Sequence, residues 1–400
     1  MGESPIPTYH PLMDFELSEE QESFRKVVRD FARSEIAPHA EAWDRDHTFP
    51  VDTVLAMGEL GLFGLPFPEE YGGSGSDFTT LCVAIEELGR VDQSMAITLE
   101  AGVGLGANPI YVFGTEEQRQ EWLPDLCAGR ALGGFGLTEP EAGSDAGGTR
   151  TRAVLDEGAG EWVIDGEKAF ITNSGTPITS LVTVTARTDA PGSQPPEIST
   201  IIVPAGTPGF EVQPPYRKMG WHASDTHGLT FTGCRVPEAN LLGALGRGFA
   251  NFLATLDDGR IAIAALALGT IEACLEHSVA YAKDRHAFGK PIGSYQAVAF
   301  KCADLAVMAA TARTLVYEAA WRKDTGRPFK QHAAMAKLYA TEGAVTATRE
   351  ATQIFGGYGF MDETAVSRFY RDSKILEIGE GTSEVQRLVI SRELGLGADS

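Results

Sequence analysis

Apolar residues recur at helical spacing through the first third of the chain, shift towards alternation in the middle, and return to helical spacing at the end. Ser18 and Gln21 are spaced as a capping box, and Phe24, Val27, Val28 and Phe31 then fall at i, i+3, i+4 and i+7, which predicts an amphipathic helix. Thr115 and Gln118 repeat the device ahead of Trp122, Leu123 and Leu126. Between them, Pro66, Pro68 and the run Gly72–Gly75 read as loop.

From about residue 131 to 245 the apolar period falls towards two. Glu161–Ile164 and Glu167–Ile171 flank Asp165-Gly166, a pair that predicts a two-residue hairpin turn. Leu181–Ala186, Ser199–Val203 and Leu229–Phe231 read as further strands, and Thr188–Glu197 as a loop rich in Pro and Gly. Strands gathered together, rather than alternating with helices, predict an antiparallel β-barrel or sandwich and argue against a doubly wound sheet. Beyond 246, helices are expected over 250–285, 295–325 and 331–355, the first apolar nearly all round between Ile261 and Leu268, as in a helix buried in a bundle. A loop at Gly356-Gly357 and a last helix over 382–394 complete an α+β chain. Its expected domains are an all-α segment 1–130, a β segment 131–245 and a helical bundle 246–400.

Composition narrows the functions. With 43% hydrophobic and 22% charged residues among 400, the chain is neither disordered nor fibrous. Its 55 acidic against 33 basic residues give a net charge of −22, which repels phosphate backbones and anionic lipid. No apolar run approaches the ~20 residues of a membrane span, and the N-terminal stretch MGESPIPTYHPLMDFEL lacks the pattern of a secretory signal. Five scattered cysteines, Cys82, Cys127, Cys234, Cys274 and Cys302, are never spaced C-x-x-C, so a reducing cytoplasm is expected.

Several segments could carry chemistry. Gly102, Gly104 and Gly106 lack the strand and the G-x-x-G of a nucleotide-binding turn, and close helix packing explains them better. His222, His227 and Cys234 match no common zinc spacing. Gly133–Gly148 holds six glycines with Thr138, Ser144 and Asp145 interleaved; it reads equally as a ligand-contacting backbone or a surface loop. Phe170 and Thr172, two apart, fall on one face of a strand, where they could meet a flat cofactor or simply be half-buried. Arg285, Phe288 and Gln296 follow a long helix and suit either a phosphate or routine capping. Glu380, between Gly379 and Gly381 ahead of a helix, can approach a substrate closely, though nothing local singles it out among 55 acids.

Together these segments resemble the acyl-CoA dehydrogenase family. The resemblance runs through Pro68–Gly73, Gly136–Glu139 with Gly143–Asp145, Phe170–Asn173, Asp284–Gly289, Gln353 with Gly356–Phe360, Arg368 with Asp372, and Glu380–Glu384, in the family's order over about residues 14–396. It implies helical N- and C-terminal domains, the latter a four-helix bundle, around a β domain. It also implies FAD, with Phe135, Leu137, Thr138, Ser144, Phe170, Ile171 and Thr172 on the isoalloxazine side. Arg285, Phe288, Gln296, Gln353, Gly356 and Gly357 would serve its pyrophosphate and adenine, often across a subunit interface, and Thr382 and Glu384 would close the site. Ser144, Asp257, Arg260 and Gly381 match positions that hold the acyl-CoA.

The resemblance assigns Glu380 as the base that removes the α-proton, with hydride passing from the β-carbon to flavin N5 and a trans-2-enoyl-CoA as product. It further implies a homotetramer built as a dimer of dimers and electron-transfer flavoprotein as electron acceptor. Some branches carry the base just before an arginine on the long helix; here that residue is Gly259. Gly379 stands where many members have tyrosine, Phe170 where tryptophan is common, and Ala96 where glutaryl-CoA dehydrogenases place an arginine. Thr255–Ile261 resembles the short-chain, butyryl-type branch, so a short or medium saturated acyl chain is expected. The rival readings are a flavin oxidase or monooxygenase of the same fold, and a non-catalytic flavin- or CoA-binding protein.

Overall fold

The computed structural model describes residues 16–189 and 196–397. Most of the N-terminal stretch that lacks a signal pattern, and most of the Pro- and Gly-rich loop at 188–197, lie outside them.

Local sequence starts the helices where expected. Ser18 caps α1 (Glu19–Phe31), and both halves of its box form, at 3.1 Å from the Gln21 N–H and 3.0 Å to the Gln21 side chain. Then come α2 (Ala40–Asp46), α3 (Val51–Glu59), α4 (Phe78–Gly89), α5 (Gln93–Glu100), α6 (Asn108–Phe113) and α7 (Glu116–Cys127), the last capped by the Thr115–Gln118 box. A π-helical turn, Ala101–Ala107, joins α5 to α6 and contains the three spaced glycines. A Cβ on Gly106 would stand 2.8 Å from the Gly133 carbonyl oxygen. Close packing against the first strand accounts for that glycine.

The middle of the chain is one eight-stranded sheet, formed by β1 (Leu132–Gly136), β2 (Arg152–Asp156), β3 (Glu161–Thr172), β4 (Thr179–Arg187), β5 (Ile198–Pro204), β6 (Phe210–Val212), β7 (Thr226–Pro237) and β8 (Leu241–Leu242). The order is β6-β7-β3-β2-β4-β5-β8, with β1 parallel to β4. A single residue pair, Arg152 with Arg187, joins β2 to β4, so the sheet consists of two halves hinged at that point.

The hairpin expected at Asp165-Gly166 does not form: β3 runs straight through it. Here β7 carries one extra residue, and Asp165 accepts the Gly233 N–H at 2.7 Å. Gly166 is needed because a Cβ there would come 2.7 Å from Thr151 Cα. The chain reverses earlier, where Gly160, at φ 68°, donates to the Asp156 carbonyl. A dipeptide with turn chemistry was outweighed by pairing on both its flanks, since Trp162, Ile164 and Ile171 all enter the same sheet core.

After the sheet come α8 (Gly248–Asp284), α9 (Gln296–Asp324), α10 (Lys330–Phe355), α11 (Ala365–Ser373) and α12 (Ser383–Glu393). Helices from both ends of the chain share one core. Leu81, Ile85 and Leu88 of α4 pack with Ile261–Leu268 of α8 and the alanine face of α10, while the sheet keeps a separate core. Glycines set the α4–α8 crossing: a Cβ on Gly89 would lie 2.9 Å from the Leu266 carbonyl oxygen. α8 is long and apolar enough to cross a membrane by composition, but most of that stretch is buried inside the fold.

Candidate active site

Glu380 lies on the turn between α11 and α12. Its φ is 52° and that of Gly381 is 92°, a left-handed pair that costs free energy at a residue with a side chain. Hydrogen bonds over-determine the turn. The Gly379 N–H donates to the Ile375 carbonyl at 2.8 Å. The Gly381 carbonyl accepts from Lys337 Nζ at 2.7 Å and from Gln386 Nε2 at 2.8 Å. Thr382 accepts the Val385 N–H and starts α12. Lys337 and Gln386 are fully buried, so the donors are fixed by packing.

The carboxyl group of Glu380 points at Gly259 of α8. A methyl on Gly259 would overlap Glu380 Oε2 and stand 3.5 Å from Glu100 Oε1. Two acids therefore meet across one glycine. Glu380 Oε2 and both Glu100 carboxyl oxygens are buried with no partner among the described residues. Burial pushes the Glu380 carboxyl above its ordinary value, partly opposed by Glu100, Lys337 and Arg260. Burial, then the charge of Glu380, push Glu100 well above its own. Arg260 is buried and pairs with Asp257 one turn away, whose carboxyl burial also lifts. A cavity of about 370 Å³ opens beside them, lined among others by Glu100, Val103, Gly104, Asn108, Asp258 and Gly259.

The glycine-rich segment meets β3 directly. The Ala169 N–H donates to the Thr138 carbonyl at 2.9 Å, which brings Phe135–Thr138 beside Phe170–Thr172. Phe135 stacks on Phe252 of α8 with ring centroids 3.8 Å apart, and Leu137 joins the same cluster. Beneath them the fully buried Lys168 donates to the Leu137 carbonyl at 3.2 Å and to Glu139 at 2.8 Å. Phe170 sits at a bulge with φ 62°, 64% exposed, against Tyr216, while Ile171 enters the sheet core. The bulge breaks the simple alternation around Phe170 and Thr172. Ser144 is exposed on the loop beyond β1, and a Cβ on nearby Gly147 would lie 3.8 Å from Phe249 of α8.

A second cluster forms at the far end of α8. Arg285 ends that helix, donates its N–H to the Tyr281 carbonyl at 2.8 Å, and holds its guanidinium 5.9 Å from the Tyr358 ring. Arg285, Gly356, Gly357 and Tyr358 line a cavity of about 530 Å³. A Cβ on Gly356 or Gly357 would meet nothing within 4 Å, and Gly356 has φ 60°. A cation, an aromatic face and open backbone are the donor set an anionic dinucleotide requires, so these residues fit FAD. Gln353 is joined to this cluster through its carbonyl, which accepts the Gly356 N–H. Gln296, exposed at the start of α9, does not line the cavity. Phe288 is 96% exposed, and Glu384 is exposed on the first turn of α12.

Strain gathers where the chemistry was expected. Among the described residues six other than glycine have left-handed backbones, and Phe170, Phe288 and Glu380 are three of them. Reasoning from sequence passed over Glu100, Lys337 and Gln386. The first two carried a faint signal: one charge within the apolar run Met95–Gly106, and one within the alanine-rich face of α10.

Three family models cover nearly the whole chain: acyl-CoA dehydrogenase N-terminal domain over 18–130, middle domain over 134–234 and C-terminal domain over 246–395. The probable acyl-CoA dehydrogenase YngJ of Bacillus subtilis is 53% identical over 382 residues, 96% of this chain and 100% of the relative. The solved butyryl-CoA dehydrogenase of Megasphaera elsdenii aligns with TM-score 0.92 at 43% identity, over 96% of this chain and 100% of its own. A chain from structural work on the electron transferring flavoprotein of Acidaminococcus fermentans aligns with TM-score 0.91 at 44% identity, over 96% and 99%. With this coverage and identity, the chain belongs to the acyl-CoA dehydrogenase family.

Proposed function

We propose that this protein is an FAD-dependent acyl-CoA dehydrogenase that converts a short- or medium-chain saturated acyl-CoA to its trans-2-enoyl-CoA, with Glu380 as the base. The observation that carries this reading is a carboxyl on a strained glycine-flanked turn beside a cavity, with its Oε2 buried and without a partner among the described residues.

An α-proton of a thioester is a weak acid, so its removal needs a carboxylate at contact distance and a donor for the developing enolate oxygen. Glu380 takes that proton, and its own backbone N–H is the donor. Lys337 and Gln386 keep the turn from relaxing as the charge moves. Exclusion of water raises the basicity of the carboxylate towards working pH. Bound FAD supplies the acceptor for the hydride that leaves the β-carbon.

Phe135, Leu137, Thr138, Ser144 and Phe170–Thr172 are proposed to hold the flavin ring, and Arg285, Phe288, Gln296, Gln353, Gly356 and Gly357 the pyrophosphate and adenine. Thr382 and Glu384 close the site, and Ser144, Asp257, Arg260 and Gly381 hold the thioester. A homotetramer with FAD shared between subunits accords with the exposure of Phe288, Phe300 and Phe360. The acceptor of electrons is electron-transfer flavoprotein, and five unpaired cysteines suit a cytoplasmic setting.

The test is the visible spectrum of the purified protein under anaerobic conditions, before and after adding butyryl-, octanoyl- or isovaleryl-CoA. Bleaching of the flavin band by one of them is expected and ranks the chain length. A flavin band that none of them bleaches would remove simple acyl-CoAs from consideration.

A further inference from the structure

Glu100 has no role in the mechanism above, yet it is 1% exposed, neither of its carboxyl oxygens has a donor partner among the described residues, and it faces the base across Gly259. Two ionised carboxylates cannot both persist there, because each only accepts hydrogen bonds and burial magnifies their repulsion. One proton placed between them removes the repulsion and gives each group a hydrogen bond.

We propose that Glu100 and Glu380 form a carboxyl–carboxylate pair sharing one proton, in which Glu100 carries the proton and donates it as a hydrogen bond to Glu380. Glu100 thereby keeps the base ionised and aimed, and is a positioning residue. The inference rests on Glu380 being the base.

The surroundings favour this division of the proton. Glu380 faces Lys337 from α10 and Arg260 from α8, two cations that stabilise its ionised form. Glu100, by contrast, faces no cation among the described residues that lowers its pKa, and burial and the charge of Glu380 both push it upward. Asp257 is already engaged by Arg260, and Asp258 by Lys323 at 2.8 Å. The protons therefore leave the pair in two steps that belong to it jointly, and the singly protonated state is the reactive one.

Two measurements on the FAD-loaded protein decide the point. Infrared difference spectra at neutral pH should show a protonated-carboxyl C=O band that survives Glu380→Gln and disappears in Glu100→Gln. A band lost in Glu380→Gln instead, or one unchanged in Glu100→Gln, overturns the proposal. In stopped-flow flavin reduction, Glu100→Ala should move the acid limb of the pH profile upward by about one unit, a tenfold loss of rate below it. Glu100→Gln, which can still donate, should restore the limb. An unmoved limb in Glu100→Ala with normal FAD content also overturns it. Should no acyl-CoA bleach the wild-type flavin, the dehydrogenase reading fails and the infrared bands still decide whether the pair shares a proton.

Discussion

Glu139 and Glu100 are both buried glutamates, and their surroundings are opposite. Glu139 accepts from Lys168 Nζ at 2.8 Å, from the Arg150 N–H at 2.7 Å and from the Thr151 N–H at 3.0 Å. Burial alone would lift its carboxyl, but the charge and hydrogen bonds of Lys168 outweigh it and hold the group below the ordinary value. Glu100 has no such donors among the described residues, faces a second acid, and is driven well above its ordinary value. A buried charge whose lone pairs are filled is scaffold: Glu139 and Lys168 fix the loop that carries Leu137 and Thr138. A buried acid left unfilled must hold or share a proton.

Breaking the reactive pair should have the largest effect. Glu380→Gln should retain FAD and bind acyl-CoA yet lose flavin reduction by on the order of 10⁴-fold, because the α-proton has no other acceptor. Stopped-flow reduction near the wild-type rate would place the base elsewhere.

Breaking the scaffold pair should instead act on folding. Lys168→Ala leaves Glu139 buried without its counter-charge and should cost about 3–5 kcal/mol in chemical denaturation. An apolar pair, Lys168→Met with Glu139→Leu, should recover much of that loss; equal destabilisation by both variants would refute the charge argument. The sign with pH follows from the depressed Glu139 value. Its contribution is present above the unfolded pKa and lost as pH falls through the folded one, so the wild-type advantage over the apolar pair should shrink in acid.

The comparison is sharpened by moving the base without removing it. Gly259→Ala places a methyl where Glu380 Oε2 lies and should slow reduction about 100-fold, the effect of an ångström-scale misplacement. An unaltered rate constant for reduction would show that the carboxyl reacts from another rotamer.

Much of the architecture was legible because periodicity is local. The three long helices begin and end within two residues of their expected bounds, since apolar spacing and missing breakers act within a few turns. The capping boxes at Ser18 and Thr115 form as written. Asp165-Gly166 was misread for the complementary reason: its turn chemistry is local, while the pairing of β3 with β7 that overrides it comes from residues some 65 positions away. Glu380 could be singled out only through family motifs, because a glycine-flanked acid has no distinguishing local chemistry.

By itself, then, the sequence determined the succession of helices, strands and helices, the caps that start them, and the glycines that let Glu380 take a left-handed turn. The tertiary structure alone decided what that glutamate meets. Glu100, Gly259, Lys337 and Gln386 come from α5, α8, α10 and α12, and no spacing rule links them. Their convergence depends on helices from both ends of the chain burying one common core. Burial then lifts the Glu380 carboxyl above its ordinary value.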